Sequence, residues 1–122
     1  MMSSLLHGLR ILVVEDDPII ALDIIGTLAD AGAMVIGPAY RVAHALELLE
    51  ASAIDIAVLD YRLETETISP VADRLSTKGI PYLFHTSSRS QVEQAHPGVP
   101  ILQKPTRPEQ LVVALKALTE SP

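Results

Sequence analysis

The sequence predicts an α/β fold in which a parallel five-stranded sheet is covered by helices on both faces. Three observations favour this fold. Five short apolar runs alternate with longer stretches of mixed character, which is typical of repeated βαβ units. The composition is 48% hydrophobic but only 3% aromatic, as expected for an aliphatic core around a parallel sheet. The chain of 122 residues has the size of one domain.

The five apolar runs are the predicted strands. Alternation with helices predicts a parallel sheet between two helical layers, and we expect the flavodoxin-like strand order 2-1-3-4-5 within this three-layer sandwich. In chain order the runs are "RILVV" (10–14), "AMVIG" (33–37), "DIAVLD" (55–60), "PYLFH" (81–85) and "VPILQ" (99–103).

Helical periodicity fills the intervals between these strands. In "PIIALDIIGTLADAG" the apolar residues recur at helical spacing, Pro18 suits the first turn, Asp17 is placed to cap it, and Gly32 ends it. Three further helices are predicted in "RVAHALELLEAS", "ISPVADRLSTKG" and "RPEQLVVALKALTE". The interval "TSSRSQVEQAHPG" is polar, so we expect a short or mobile fourth helix around Arg89–Ala95.

Composition excludes several classes of function. The net charge is −6 and the nine basic residues are scattered, so direct nucleic-acid binding is not expected. The absence of cysteine excludes disulfides, thiolate nucleophiles and zinc–thiolate sites. There is no signal peptide and no apolar run of about 18 residues. We therefore expect a cytoplasmic protein without a membrane segment, in which residues 1–122 form one domain and no output domain follows.

Polar residues follow four of the predicted strands at the points where they end. In open parallel sheets ligands bind at the carboxyl ends of the strands, so these residues should lie close together. They are Glu15, Asp16 and Asp17 after the first strand, Asp60 at the end of the third, Thr86 and Ser87 after the fourth, and Lys104, followed by Pro105, after the fifth.

Converging carboxylates without imidazole or thiolate favour a hard divalent cation such as Mg²⁺. Asp60, central in the sheet, is then the best candidate for a nucleophile that attacks phosphorus to give an aspartyl phosphate. Asp16 is the best direct metal ligand, and Glu15 is expected to act through water. Lys104 and the Thr86 hydroxyl could neutralise the charge that develops during transfer.

"ILVVEDDP", "DIAVLD", "HTS" and "LQKP", in this order and spacing, resemble the receiver domains of two-component response regulators. The resemblance implies that Asp60 accepts a phosphoryl group from a histidine kinase or a histidine phosphotransfer protein, with Mg²⁺ or Mn²⁺ as cofactor. It also implies that the Arg62 backbone carbonyl completes the metal shell and that the Lys104–Pro105 peptide bond is cis. A receiver catalyses only its own phosphorylation and dephosphorylation, so it is a signalling domain and not an enzyme in the usual sense.

A narrower resemblance is to short, single-domain alphaproteobacterial regulators named for a Phe-Ala-Thr-Gly-X-Tyr motif, the "FAT GUY" group. It is carried by "GPAYRVAHALELLE", "DYRLETETISPVADRLSTKGIPYLF" and "VPILQKPTRPEQL". The motif itself diverges, because "FHTSSR" (84–89) keeps only the Phe and the Thr. Ile101 also replaces the aromatic residue that many receivers rotate on activation, and Tyr61 and Tyr82 are candidate substitutes.

Other residues have structural interpretations as strong as a functional one. Strand alternation turns His85 away from the site, which favours a role in packing or at the surface, and His44 is expected to be exposed on its helix.

In receivers the side chains two residues after the aspartate and two after the threonine line the path of water to the phosphoryl group. Arg62 and Ser88 occupy these positions, and with Ser87 they are candidate modulators of the phosphoryl lifetime.

Three other functions compete with a receiver that signals to a downstream protein or passes its phosphoryl group on. An aspartate-nucleophile phosphatase usually has a second Asp two residues after the nucleophile, where this chain has Arg62. A degenerate receiver that only binds proteins would not need the complete acidic, hydroxyl and lysine set. A nucleotide or flavin protein would have a Gly-rich loop after the first strand. For the receiver we expect a monomer or a weak homodimer through the fourth-helix face.

Overall fold

A computed structural model describes residues 4–120 of the chain. It contains seven strands and five helices among these residues. In chain order they are β1 (Arg10–Val14), α1 (Pro18–Asp30), β2 (Met34–Ala39), α2 (Val42–Ala51), β3 (Ile56–Leu59), β4 (Arg62–Leu63), β5 (Glu66–Thr67), α3 (Ser69–Lys78), β6 (Tyr82–Thr86), α4 (Arg89–Ala95), β7 (Ile101–Gln103) and α5 (Pro108–Glu120).

The main sheet has five parallel strands in the order β2-β1-β3-β6-β7. Counting only these five strands, the order is the predicted 2-1-3-4-5, and the α/β flavodoxin-like fold is confirmed. Strand β3 lies in the middle, between β1 and β6. The carboxyl ends of β1, β3, β6 and β7 are therefore neighbours at one edge of the sheet.

The core lies on both faces of the sheet because successive side chains of a strand point in opposite directions. On β1, Ile11 and Val13 pack into the cluster that includes residues of α1 and α5. Leu12 and Val14 pack into the cluster that includes residues of α2, α3 and α4. This burial of both faces explains why the strands are apolar runs rather than alternating patterns.

The predicted strand limits shift by up to two residues, since the runs 55–60 and 81–85 become β3 and β6, and two further changes lie at Pro38 and Pro100. The sequence run 33–37 becomes β2, Met34–Ala39, because pairing resumes beyond Pro38, where Glu15 N–H donates to Ala39 O at 3.0 Å. As an edge strand, β2 tolerates a residue without an N–H group. The run 99–103 shortens to β7, which begins after Pro100.

Two features of the connections bear on the site. Helix α4 has seven residues, of which only Val92 is buried, so the prediction of a short fourth helix is confirmed; its mobility stays a prediction. The antiparallel pair β4–β5 was not predicted, because two-residue strands are too short to give a periodic pattern.

Within the described range, no helix is both long and apolar enough to cross a membrane.

Asp17 caps α1 as predicted. Its side-chain oxygen accepts from Ile19 N–H at 2.9 Å and from Ile20 N–H at 3.3 Å. These are two of the amide groups that have no partner inside the helix. The cap fixes the direction in which the chain leaves the Glu15–Asp16 loop.

We expect Asp17→Ala to lower the free energy of unfolding by about 1 kcal/mol, because it removes the acceptor for these amides. Urea denaturation followed by circular dichroism measures this loss. Asp23→Ala is the matched control, since Asp23 is exposed in the middle of the same helix and should change stability by less than about 0.5 kcal/mol. Equal losses in the two variants would contradict the capping role.

Candidate functional site

The structure brings the carboxylates of Glu15, Asp16 and Asp60 together at the edge formed by the carboxyl ends of β1 and β3. One oxygen of each lies within 4.8 Å of the others. Glu15 is 1% exposed and Asp60 is 9% exposed, whereas Asp16 is half-buried. Asp60 is held in place by its own backbone, because its N–H donates to Val14 O at 2.9 Å.

Lys104 joins these carboxylates from the end of β7. Its Nζ atom lies 2.8 Å from Glu15 Oε1 and 3.0 Å from Asp60 Oδ2. The Lys104 N–H donates to Thr86 O at 3.0 Å, which aligns the ends of β6 and β7. The following peptide bond, Lys104–Pro105, is cis. One ammonium group thus bridges the buried members of the acidic cluster.

Thr86 stands at the end of β6 and is 1% exposed. Its Oγ1 accepts a hydrogen bond from Ser88 N–H at 3.1 Å, at the start of α4. Ser87 is exposed and Ser88 is half-buried. Since a hydroxyl that accepts one bond can still donate its proton, Thr86 can serve a further acceptor at this edge.

Arg62, two residues after Asp60, is exposed and extends towards α4. Its Nη2 donates to Gln91 Oε1 at 3.1 Å. The bond connects the segment after β3 with the exposed face of α4. Gln91 gave no signal in the sequence, because nothing in its pattern distinguishes it from any other polar helical residue.

Burial and charge shift the pKa values of these groups in different directions. Burial raises the pKa of Glu15 to about 7, more than the hydrogen bond from Lys104 lowers it, and the neighbouring Asp60 raises it further. Burial opposes the charge of Lys104, but hydrogen bonds to Glu15 and Asp60 bring its pKa above the usual value. One ammonium therefore does not fully compensate the negative charge of the site.

His85 is buried, at 7% exposed, in agreement with a role in packing. Burial, reinforced by the positive charge of Lys104, lowers the pKa of His85 to about 4. His85 and Lys104 share the wall of a cavity of about 660 Å³ between α1 and the start of α5. Strand alternation predicts that His85 points away from the site, and it gives no sign of this proximity to Lys104.

The comparisons with known proteins agree with this geometry. SdrG from Sphingomonas melonis Fr1 is 37% identical, with 94% of this chain and 98% of SdrG covered and a TM-score of 0.80. A response regulator receiver protein from Sinorhizobium medicae WSM419 is 28% identical, with 93% of this chain and 95% of that protein covered and a TM-score of 0.78. No family model matches the sequence, and no curated protein matches it either.

The response regulator PhyR from Brucella abortus is also similar, with 26% identity over 93% of this chain and a TM-score of 0.79. This chain spans only 49% of the length of that protein. With these likenesses, the site and the sheet order define a signalling domain of the α/β class. The chain belongs to the receiver-domain family of response regulators.

Glu15 and His85, whose pKa values are shifted, make the stability of the domain depend on pH in opposite directions. Glu15 keeps a proton up to about pH 7 when folded but only to its ordinary value of 4.5 when unfolded, so its contribution favours folding at low pH and is lost as the pH rises through that interval. His85 has a folded pKa of about 4 against an ordinary 6.5. Its contribution is therefore present above pH 6.5 and is lost as the pH falls towards 4.

With a metal chelator in the buffer, we expect Glu15→Gln to abolish the pH dependence of stability that is due to Glu15 and to leave the one that is due to His85. Between the ordinary and folded pKa values of Glu15, 4.5 and about 7, the free energy of unfolding of the variant should rise with pH relative to wild type by about 3 kcal/mol. Urea titrations across this range measure it. His85→Gln is the matched control and should change the slope in the opposite direction. Parallel curves for both variants and wild type would contradict the assignment.

Proposed function

We propose that this chain is a receiver that accepts a phosphoryl group on Asp60 and signals through the α4 face. The observation that carries the proposal is the bridge from Lys104 to Glu15 and Asp60 at 2.8 and 3.0 Å. It brings an ammonium group to the carboxylate that we propose as the nucleophile, at the edge where the ends of four parallel strands meet. Phosphoryl transfer needs this combination of positioning and charge stabilisation.

The donor set fits a divalent cation. Three carboxylates offer oxygen atoms within 4.8 Å of one another, and oxygen ligands suit Mg²⁺ or Mn²⁺. Asp16 and Asp60 would hold the cation directly, Glu15 through water, and the Arg62 carbonyl would complete the shell. When bound, the cation would neutralise charge on the phosphoryl oxygens and relieve the repulsion among the carboxylates.

Two similar proteins support these assignments. SdrG, 37% identical to this chain, has also been determined in a BeF3-activated conformation, and beryllofluoride has the tetrahedral shape of a phosphoryl group. The receiver domain of sensor histidine kinase PA1611 from Pseudomonas aeruginosa PAO1 has a magnesium ion coordinated in its active-site cleft. That domain shares the fold at 22% identity and a TM-score of 0.82.

The transfer itself follows from the placement of Asp60. A carboxylate oxygen of Asp60 attacks the phosphorus atom of a phosphohistidine on a kinase or phosphotransfer protein. The O–P bond forms as the P–N bond breaks, and the imidazole leaves with the electron pair of that bond. Lys104 already lies beside Asp60 and would move its ammonium onto a phosphoryl oxygen, where the Thr86 hydroxyl can donate as well.

Phosphorylation would then bias the position of α4. A phosphoryl group adds about −1.5 to −2 charge, so Thr86 and Lys104 would be drawn towards it. Thr86 accepts from the Ser88 amide at the start of α4, and movement of its hydroxyl therefore alters the contact that fixes this end of the helix. We propose that this shifts a two-state equilibrium read by a downstream protein or by a second phosphotransfer partner.

Apolar side chains beside the site offer a surface for the phosphohistidine partner. Ile19 is 74% exposed and Leu22 is 68% exposed on α1, directly after the acidic loop.

We propose a cytoplasmic protein in which residues 1–122 act as a single receiver domain, as a monomer or a weak homodimer. Its chemistry is limited to its own phosphorylation and dephosphorylation.

Incubation with Mg²⁺ and a small acyl-phosphate donor tests the proposal by intact mass. We expect one phosphoryl adduct that persists for minutes in the wild type and is absent from Asp60→Asn, which keeps the shape of the side chain without the nucleophilic charge. Omission of Mg²⁺ should also abolish the adduct.

Three other results of this experiment would contradict the proposed phosphorylation of Asp60. Rapid, repeated turnover of phosphate esters would favour a phosphatase. The absence of both adduct and turnover would favour a module that only binds proteins. An adduct that Asp60→Asn retains would place the phosphoryl group on another residue.

We also expect Arg62 and Ser88 to set the lifetime of the phosphoryl group. Removal of either side chain should change the access of water to Asp60, so Arg62→Ala and Ser88→Ala should each change the dephosphorylation rate several-fold, corresponding to about 1 kcal/mol in the barrier. Loss of the adduct with time measures the rate. Arg89→Ala is the matched control, because Arg89 is exposed and pairs with Glu93 at 3.4 Å. Unchanged rates in both test variants would contradict this role.

A further inference from the structure

The hairpin β4–β5, residues Arg62–Thr67, holds one member of the acidic cluster. Glu64, in its turn, donates its backbone N–H to Asp16 Oδ2 at 2.9 Å. Among residues 4–120 this amide is the hydrogen-bond donor found on the Asp16 carboxylate. The contact joins residues 48 positions apart in the sequence, so the chain must fold back on the acidic loop to make it.

The backbone of Glu64 is strained where it makes this contact. Its φ angle is 54°, in the left-handed region that side chains with a Cβ atom disfavour. Glu64 is the non-glycine residue with positive φ in the described part of the chain. Such strain persists only where surrounding contacts determine the conformation, and it occurs most often at functional sites.

Contacts on several sides fix the hairpin independently of Glu64. Leu63 is 1% exposed in the core. Glu66 Oε1 accepts a hydrogen bond from Val42 N–H, the first amide of α2, at 3.1 Å. The N-cap residue of α2, Arg41, makes no capping hydrogen bond with its side chain. Arg62 reaches Gln91 on α4. The turn is therefore held in place by α2, α4 and the core, and Asp16 is placed against it.

We propose that this hairpin is a positioning device for the divalent cation, and that the Glu64 N–H orients the Asp16 carboxylate as a ligand. The inference rests on the proposed function. Asp16 is half-buried on a loop, and without a donor its carboxylate would rotate freely. A hydrogen bond to one oxygen fixes the rotamer and leaves the remaining lone pairs for the metal. Groups that orient a ligand in this way typically change metal affinity 10–100-fold when they are removed.

The experiment replaces the Glu64 amide by an ester, made by semisynthesis with the α-hydroxy analogue of glutamate. This change removes the N–H group and keeps the side chain and the chain path. We expect the dissociation constant for Mg²⁺, measured by calorimetry without any phosphoryl donor, to rise about tenfold or more. An ester at Thr65, in the same turn, should stay within about twofold of wild type.

A second readout follows the Glu64 amide directly by NMR. In the wild type its proton resonance should move during Mg²⁺ titration with the midpoint found by calorimetry. In Asp16→Asn it should be displaced before any metal is added, because a neutral amide oxygen is a weaker acceptor than a carboxylate. The displacement in Asp16→Asn reports the hydrogen bond itself, and the Mg²⁺ affinity of the Glu64 ester decides whether that bond positions the ligand.

The outcomes separate this inference from the proposed function. A Glu64 ester with wild-type affinity and an intact spectrum would overturn the positioning role while leaving the cation site in place. An equal loss in the Thr65 ester would overturn it as well, because the effect would then belong to the turn as a whole. A wild-type protein that binds neither Mg²⁺ nor Mn²⁺ would overturn both the cation site and the inference that depends on it.

Discussion

The ammonium group of Lys104, 2.8 Å from Glu15 and 3.0 Å from Asp60, is the interaction on which the site depends. Two ionised carboxylates that are 1% and 9% exposed share a buried edge only at a high cost in free energy unless a cation compensates their charge, and otherwise one of them takes up a proton. The fold supplies that cation from the end of β7, two strands away from β3, which Asp60 follows. The order of the sheet is thus a condition for the charge balance and not only a packing arrangement.

Lys104 compensates the negative charge of the site only in part, and the remaining negative charge favours the binding of a further cation. The pKa of Glu15 rises to about 7 even with Lys104 in contact, because burial outweighs the ion pair. Asp16 adds a further carboxylate within 4.8 Å. A single ammonium facing three carboxyl groups leaves an excess of negative charge, which a divalent cation removes and which a phosphoryl group alone would increase. Cation and phosphoryl group are therefore expected to bind as partners.

The sequence predicted the parts of the molecule that follow from repeated local patterns. Apolar runs and helical spacing were sufficient for the five strands of the main sheet, for α1 with its Asp17 cap and for the short α4, because each depends on residues adjacent in the chain. The order of the strands is not local and was expected from the flavodoxin-like topology. The hairpin was missed because its strands have two residues each. The contact from Glu64 could not be predicted at all, since it is made by a backbone amide that carries no sequence signal. For His85, strand alternation indicated the direction but not the distance to Lys104.

Three consecutive carboxylates after β1 are compatible with a stable fold because each has a different donor. Glu15 faces the Lys104 ammonium, Asp16 faces the Glu64 amide, and Asp17 faces the first amides of α1. Two of these donors come from segments more than forty positions later in the chain. The acidic run is therefore distributed among the sheet edge, the hairpin and the helix. Only Glu15 and Asp16 remain beside Asp60, so two of the three carboxylates belong to the site, while the third, Asp17, is exposed and caps the helix.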